Sequence, residues 1–202
     1  MTPVNKGFHG RPHRGKTLPP GQSQVMQWPV LTYGPTPHID PKDWTLTIDG
    51  EVNKPITLSW EEFNKLPKIT LLTDIHCVTR WSRLDMPWEG VSIDELIAQA
   101  GGLTDKARFL IATSHGDYTT NLPLVDVTGE QAMVATAAHG EPLTPVHGGP
   151  ARLFVPHLYF WKSAKWAKQL TFTLKDHPGF WEVHGYHNYG DPWREQRYDS
   201  DE

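Results

Sequence analysis

The alternation of apolar and polar positions along the chain predicts a series of short strands. Residues 44–48 alternate in this way and are followed by Asp49-Gly50, which is typical of a half-buried strand that ends in a turn. Residues 69–75 are predicted to form a buried strand that ends just before Cys77. Further strands are predicted at residues 56–58, 108–113, 118–122, 133–137, 152–155 and 169–173.

Two segments have helical spacing and a defined start. One helix is predicted to begin after Ser59 and to end before Pro67, and the clearer one occupies residues 91–100 with Ser92 as its N-cap. In both cases a glutamate follows the capping serine three positions later, which is the pattern of a capping box. Many short strands with few helices favour a mixed α+β domain.

The two ends of the chain lack such periodicity. Residues 1–27 are rich in Gly, Pro, His, Lys and Arg, and we expect a flexible or surface-draped arm. Residues 28–176 carry the periodic segments and are expected to form one domain. Residues 177–202 are aromatic and charged, and we expect this tail to pack on the same domain.

Composition narrows the class of protein. A chain of 202 residues with a net charge of -4 has no broad basic field, so nucleic acid is not an expected partner. It has no apolar run of about 20 residues, so no membrane span is expected. The N-terminal residues have neither the apolar core of a secretory signal nor a twin-arginine pair, so a cytoplasmic location is expected.

The single cysteine, Cys77, allows three readings. It is a buried small hydrophobe, the nucleophile of a thiol-dependent hydrolase, or the ligand of a soft metal ion. Arg80 and Arg83 follow closely in sequence, and nearby positive charge favours the reactive thiolate. The residues after the cysteine, Trp81-Ser82, are interpreted as a loop, where functional sites tend to lie.

Two further segments have the composition of an anion site. His147 begins a Gly-Gly-Pro turn that leads to Arg152, whose planar guanidinium suits phosphate. Ser163-Ala164-Lys165 lies between tryptophans and combines a hydroxyl, a small residue and a cation. Taken alone, the first segment is equally compatible with a hairpin turn that carries a solvated arginine, and the second is better explained as a solvated basic turn anchored by its tryptophans.

In order along the chain, these segments resemble the molybdopterin-binding domain of the sulfite oxidase superfamily. The resemblance covers about residues 29–174 and is closest to small bacterial sulfite-oxidase-like oxidoreductases, with the catalytic subunit of the periplasmic methionine sulfoxide reductase as a further relative. It rests on four motifs: Cys77-Val78-x-x-Trp81-Ser82 with Pro87-Trp88-x-Gly90, then Tyr118 to Leu124, His147 to Pro156, and Ser163-Ala164-Lys165-Trp166.

The resemblance implies a fold with mixed β-sheets and a few short helices, and a cofactor in which molybdenum is held by a pyranopterin dithiolene. It implies that Cys77 is the protein ligand to the metal and that Arg152 and Lys165 bind the pterin phosphate. The other residues carried over as cofactor contacts are Thr32, Tyr33, Ser114, His147, Ser163 and Ala164. Arg80 and Tyr118 are carried over as catalytic residues beside the metal.

The implied activity is a two-electron oxygen-atom transfer on a small S-oxide, sulfite or an N-oxide. Electrons would be exchanged with a separate protein or small carrier, because one cysteine cannot form an iron–sulfur cluster and no C-x-x-C-H haem motif occurs. The full set of sulfite-binding arginines is not recognisable. The alternative is therefore a non-catalytic module that uses the same fold to bind the pterin or a protein.

Overall fold

In the computed structural model, which describes residues 17–116 and 118–201, the chain folds into two mixed β-sheets with two short helices. Helix α1 is Trp60–Asn64 and helix α2 is Ile93–Gln99. The strands are β1 (Ser23–Gln24), β2 (Thr45–Gly50), β3 (Ile56–Ser59), β4 (Ile69–His76), β5 (Trp81–Ser92), β6 (Phe109–Ser114), β7 (Thr119–Pro123), β8 (Met133–Ala138), β9 (Glu141–Pro142), β10 (Arg152–Phe154) and β11 (Ala167–Thr173).

Each sheet contains one parallel pair among antiparallel ones. In the first sheet, β5 pairs with β1 in parallel and with β4 and β8 antiparallel, while β10 and β9 extend it from β8. The second sheet has the order β3-β2-β11-β6-β7, in which β2 and β11 are parallel. The strands that carry Cys77 and Arg152 at their ends therefore belong to the same sheet.

Local sequence signals account for both helices. At α1, the Ser59 hydroxyl accepts from the Glu62 backbone N–H, and the Glu62 carboxylate accepts from the Ser59 backbone N–H, so the predicted capping box is confirmed. At α2, the Ser92 hydroxyl accepts from the Glu95 backbone N–H at 3.1 Å. None of the helices in the described part of the chain has the length and apolar character that a membrane crossing requires.

The segment after the cysteine differs from the prediction. Trp81-Ser82 is not in a loop but begins β5, which is the longest strand in the described residues and pairs with three neighbours. Pro87 and Gly90 hid this strand, because both residues usually interrupt a ladder. Pro87 is tolerated inside the sheet, opposite Leu72, and a register shift accommodates Gly90.

Part of the predicted N-terminal arm joins the sheet. Ser23 and Gln24 form β1 alongside Trp81 and Ser82. The prediction for residues 1–16 falls outside the residues that the structure describes.

Two clusters of buried apolar side chains hold the fold. The larger one packs α2 and the second sheet around Leu46, Ile48 and Leu170, which are fully buried. The smaller one is aromatic and includes Cys77, with the Trp88 ring stacked on Phe154 at a centroid distance of 4.1 Å. The cysteine therefore lies against packed aromatic rings rather than in an open loop.

The C-terminal residues contact the domain through a buried ion pair. The Lys162 ammonium and the Glu182 carboxylate lie 2.5 Å apart, and both side chains are 1% exposed. Lys162 also donates to the Asn121 and Asn188 backbone oxygens, at 2.9 and 2.7 Å. Burial lowers the pKa of Lys162, and the Glu182 charge opposes that shift.

Replacing Glu182 with methionine is expected to destabilise the fold by about 3–5 kcal/mol, because it leaves the buried Lys162 ammonium without its counter-charge. Urea unfolding followed by tryptophan fluorescence measures this change. The matched control is Glu61→Met, which breaks the exposed Glu61–Lys65 pair and should leave the unfolding transition nearly unchanged. Equal midpoints for the two variants would contradict this account of the C-terminal contact.

Candidate functional site

Cys77 occupies the first position of the turn between β4 and β5. Its side chain is 8% exposed, and its Sγ atom lies 3.1 Å from the Thr79 hydroxyl. Burial raises the pKa of the thiol, while the contact with Thr79 and the charge of Arg197 act in the opposite direction. Without a metal ion the thiol is therefore protonated at neutral pH, and a bound metal would keep it as thiolate.

Arg152 begins β10 and is almost fully buried, with 1% of its side chain exposed. Its guanidinium donates to the His147 backbone oxygen at 2.8 Å and to the Ser163 backbone oxygen, and it lies 4.1 Å above the Phe160 ring. Among the described residues, no carboxylate forms an ion pair with it. Burial lowers the pKa of Arg152 to about 9. A buried cation that has no carboxylate partner favours the binding of an anion.

Lys165 is a second cation at the same place. Its ammonium donates to the backbone oxygens of Leu31 at 2.8 Å and Val146 at 2.7 Å, and it forms no ion pair within the described residues. Burial, and then the charge of Arg152, lower the pKa of Lys165 to about 7, while the charge of Cys77 raises it. The Arg152 guanidinium and the Cys77 sulfur therefore both lie within electrostatic reach of the Lys165 ammonium.

Gly148 allows the two cations to approach. It has φ 103°, and a Cβ atom added there would lie 3.0 Å from the Lys165 Cβ and 3.1 Å from the Arg152 Cβ. Any other residue at this position would be strained and would push the two basic residues apart. The Gly-Gly-Pro turn of the sequence thus has a defined steric role.

His147 faces the N-terminal segment. Its ring stacks on Trp28 at a centroid distance of 3.8 Å, its Nδ1 lies 2.9 Å from the Thr144 hydroxyl, and its Nε2 lies 3.3 Å from the Trp28 backbone oxygen. Burial lowers the pKa of His147, so the ring is neutral at pH 7. Trp28 contacts His147 and the Leu31 backbone oxygen binds Lys165, so residues 28–31 run across the side chains of His147 and Lys165.

The other predicted cofactor contacts lie around this centre. Thr32 and Tyr33 are exposed and follow Leu31 directly. The Ser163 hydroxyl accepts from the Val155 backbone N–H at 2.9 Å. Ala164 is buried, and its backbone oxygen accepts from Leu153. The Ser114 hydroxyl is fully buried and has no hydrogen-bond partner within the described residues.

The two predicted catalytic residues have different surroundings. Arg80 has an exposed side chain, 3.9 Å from the Glu195 carboxylate, and lines an open pocket of about 360 Å³ with Arg197 and the C-terminal segment. Tyr118 donates its hydroxyl to the Trp161 backbone oxygen at 2.7 Å, and burial raises its pKa well above the usual value. This bond ties strand β7 to the segment before Ser163, and the catalytic role of Tyr118 stays a prediction.

The pair of histidines in the C-terminal tail makes local contacts. His184 Nδ1 lies 2.6 Å from the Phe180 backbone oxygen, and His187 Nδ1 accepts from the Tyr189 backbone N–H at 2.9 Å. Across residues 17–116 and 118–201, no three His, Cys, Asp or Glu side chains converge in a group that could hold a metal ion.

Sequence reasoning missed three residues that contact this centre. Trp28 covers His147, while Gln22 and Arg197 bind the backbone of the Cys77 turn. Gln22 lies in the segment predicted as an arm, and Arg197 lies in the C-terminal tail, where no sequence motif marks it. A partial signal existed only for Trp28, because it directly precedes Pro29 and a residue before proline favours an extended backbone.

Taken together, the geometry brings a buried arginine and a half-buried lysine, neither paired with a carboxylate among the described residues, near a cysteine at the end of a strand, and this set of groups suits an anionic small molecule. Comparison with known proteins identifies the family. Residues 33–181 match the oxidoreductase molybdopterin binding domain, and the chain belongs to that family.

Relatives extend across most of the chain. It is 47% identical over 182 residues to the uncharacterized oxidoreductase YuiH of Bacillus subtilis (strain 168), which is 90% of this chain and 91% of that protein. It is 30% identical over 165 residues to the protein-methionine-sulfoxide reductase catalytic subunit MsrP of Campylobacter jejuni, which is 74% of this chain and 55% of MsrP.

A solved structure shares the fold. The sulfane dehydrogenase SoxCD from Paracoccus pantotrophus superposes with a TM-score of 0.64 and 25% identity, over 70% of this chain and 41% of that one. The predicted resemblance to the sulfite oxidase superfamily and the predicted mixed-sheet fold are confirmed. The protein is a molybdopterin oxidoreductase, and the predicted molybdenum–molybdopterin cofactor is that of its family.

The residues present fit this cofactor. Within the described residues Arg152 and Lys165 have no carboxylate partner, so both suit the phosphate of the pterin. The Ser114 hydroxyl, which has no hydrogen-bond partner in the same part of the chain, lies on the strand next to Ala167, two residues after Lys165. The Cys77 thiol is a soft donor of the kind that molybdenum accepts. The individual contacts stay predictions, and Lys165 gives one that is open to measurement.

Sulfate binding to the cofactor-free protein is expected to take up a proton at pH 8, because a bound anion raises the pKa of Lys165 from about 7. At pH 6 Lys165 is already charged, so little uptake is expected and binding is stronger. Calorimetric titration with sulfate, which keeps its charge between pH 6 and pH 8, in buffers of different ionisation enthalpy measures the uptake. Lys165→Gln should abolish it, and the exposed control Lys168→Gln should retain it. Equal uptake in both variants would contradict the role of Lys165.

Proposed function

We propose that the chain catalyses the two-electron reduction of a small S-oxide, with Cys77 as the protein ligand to molybdenum. One observation carries this proposal: Arg152 and Lys165 are neighbouring basic residues without carboxylate partners in the described residues, and Lys165 lies within electrostatic reach of Cys77, the only cysteine of the sequence. This arrangement supports a phosphate anchor next to a sulfur ligand, as a molybdopterin requires.

The basic side chains have complementary roles. Arg152 presents a planar fork that is already fixed by two backbone oxygens, so it can bind phosphate with little loss of side-chain entropy. Lys165 must exchange at least one of its carbonyl contacts for the anion. His147, neutral and held by Thr144, would exchange its long Nε2 contact with the Trp28 backbone oxygen for a hydrogen bond to the pterin ring system.

When bound, the cofactor supplies the two-electron oxygen-atom transfer, and the protein supplies orientation, electrostatics and access. The overall reaction consumes the S-oxide, two electrons and two protons, and it yields the thioether and water. The electrons come from a separate donor protein or small carrier. Arg80, an exposed residue of the Cys77 turn itself, would attract a polarised oxygen or an anion toward the metal.

The relatives support a sulfur substrate. The names of MsrP and SoxCD refer to methionine sulfoxide and to sulfane, which are both sulfur compounds. This chain spans only 55% of the former and 41% of the latter, so their whole activities are not carried over. The shared chemistry favours an S-oxide over an N-oxide.

Reoxidation of the reduced enzyme tests the substrate class. Holoprotein reduced with a viologen dye should be reoxidised by dimethyl sulfoxide or a methionine sulfoxide peptide, and more slowly by trimethylamine N-oxide. Sulfite with a ferricyanide acceptor is the comparison for the opposite direction. Protein that carries molybdenum but is reoxidised by none of these oxidants would support the non-catalytic binding module instead.

The cytoplasmic location expected from the sequence stays a prediction. Fractionation of cells that produce the full-length protein, followed by immunodetection, tests it. Recovery in a periplasmic fraction would contradict this expectation.

A further inference from the structure

The turn that presents Cys77 is short and strained. It is closed by hydrogen bonds from the Cys77 backbone N–H to the Trp81 oxygen at 2.9 Å and from the Arg80 backbone N–H to the Cys77 oxygen at 3.0 Å. Arg80 has φ 71°, in the left-handed region that residues with a Cβ rarely adopt. Such a conformation persists only when its surroundings hold it in place.

A residue near the C-terminus holds one side of this turn. Arg197 is 2% exposed, and its Nη1 donates to the Val78 backbone oxygen at 2.6 Å. Its Nη2 donates to the Pro20 backbone oxygen at 3.0 Å, and its guanidinium lies 5.0 Å from the centre of the Tyr159 ring. Arg197 therefore joins the Cys77 turn to both ends of the described chain.

A residue near the N-terminus holds the other side. The Gln22 side-chain amide donates to the Cys77 backbone oxygen at 2.9 Å and accepts from the Ser82 hydroxyl at 3.1 Å. The adjoining backbone continues the contact, because the Ser23 backbone N–H donates to the Arg80 oxygen at 2.9 Å. The Cys77 and Val78 carbonyls of the turn are thus each bound by a side chain remote in sequence.

We propose that Gln22 and Arg197 are positioning residues that fix the Cys77 turn and so aim its sulfur at the metal. Both lie outside residues 33–181, the part of the chain that matches the family domain, so the two chain ends complete the site. We call the hydrogen bonds from Gln22 and Arg197 to the turn the clamp. That the clamp orients the sulfur toward the metal rests on the proposed ligand role of Cys77, whereas the clamp itself does not. A metal–thiolate bond depends on the orientation of the sulfur, which outer contacts of this kind control.

Charge-preserving variants separate positioning from electrostatics. Arg197→Lys retains the positive charge but can reach only one of the two carbonyls, and Gln22→Met retains the length without the amide. The matched control for Arg197→Lys is Arg108→Lys, in which a guanidinium also loses its bonds to backbone oxygens, those of Asp105 and Ala107, away from the site. The matched control for Gln22→Met is Gln24→Met at an exposed position.

The first readout needs no cofactor. In cofactor-free protein at fixed pH, iodoacetamide should label Cys77 about tenfold faster in Arg197→Lys or Gln22→Met than in wild type, because each lost bond favours opening of the turn. The controls should label at the wild-type rate. Wild-type rates in both clamp variants would overturn the proposal, and they would do so whether or not Cys77 binds molybdenum.

The second readout is spectroscopic. In holoprotein with equal molybdenum content, the Mo(V) electron paramagnetic resonance g-values should shift in both clamp variants and not in the controls. Unchanged g-values with normal molybdenum content would overturn the aiming of the sulfur. Wild-type protein without molybdenum would instead refute the proposed function, and the labelling rates would still decide the clamp.

Discussion

Replacing Cys77 with serine is expected to lower the rate of S-oxide reduction by more than about 100-fold, since even groups outside the coordination shell are worth about 10–100-fold. A serine hydroxyl is a harder donor and a far weaker acid than the thiol, so it is a poor replacement for a thiolate on molybdenum. The fold should survive, because the side chain is small and the Thr79 hydroxyl, 3.1 Å away, can hydrogen-bond to the new oxygen.

Dye-linked turnover with dimethyl sulfoxide, together with thermal unfolding by circular dichroism, measures both effects. Cys77→Ala is the companion variant, because it removes the donor without adding a hydroxyl. Both variants should be inactive, with unfolding transitions close to that of the wild type. Turnover of Cys77→Ser within threefold of wild type would rule out the ligand role, and the hydrolase reading predicts iodoacetamide labelling of the as-isolated wild type.

Arg152→Met is expected to yield protein that is nearly free of cofactor. Charge-assisted hydrogen bonds are worth about 1.5–3 kcal/mol each, and the guanidinium can offer two of them to phosphate, so affinity should fall about 100-fold or more. The stability of the fold should fall less than the affinity for the cofactor. The cost of leaving the His147 and Ser163 backbone oxygens unpaired is offset by the removal of a buried charge.

Molybdenum analysis and fluorescence of the oxidised pterin measure cofactor content after purification. Arg108→Met is the matched control, because its exposed guanidinium also binds two backbone oxygens but lies away from the site. It should carry the wild-type amount of both components. Full loading of Arg152→Met would show that another group anchors the phosphate.

Local sequence signals were sufficient for the helices and for most strands. Ser59 and Ser92 mark the starts of both helices, because a capping hydroxyl acts within four residues of the chain. Strand β5 was missed because its pairing partners, and not its own residues, determine its conformation: Pro87 and Gly90 read as breaks until β4 and β8 are placed beside them.

The candidate site was only partly predictable for the same reason. Cys77, Arg152 and Lys165 belong to motifs with short spacings, so the resemblance could place them. Gln22 and Arg197 contact the turn across separations of 55 and 119 residues, and no local pattern encodes such a contact. Tyr118 shows the opposite case, since its motif was recognised but its hydroxyl is bound to the Trp161 backbone oxygen.

The ligand role of Cys77 is the central claim, and X-ray absorption at the molybdenum K-edge tests it most directly. Holoprotein of the wild type should show one more sulfur neighbour around molybdenum than Cys77→Ser holoprotein prepared in the same way. An equal number of sulfur neighbours in the two proteins would contradict the claim.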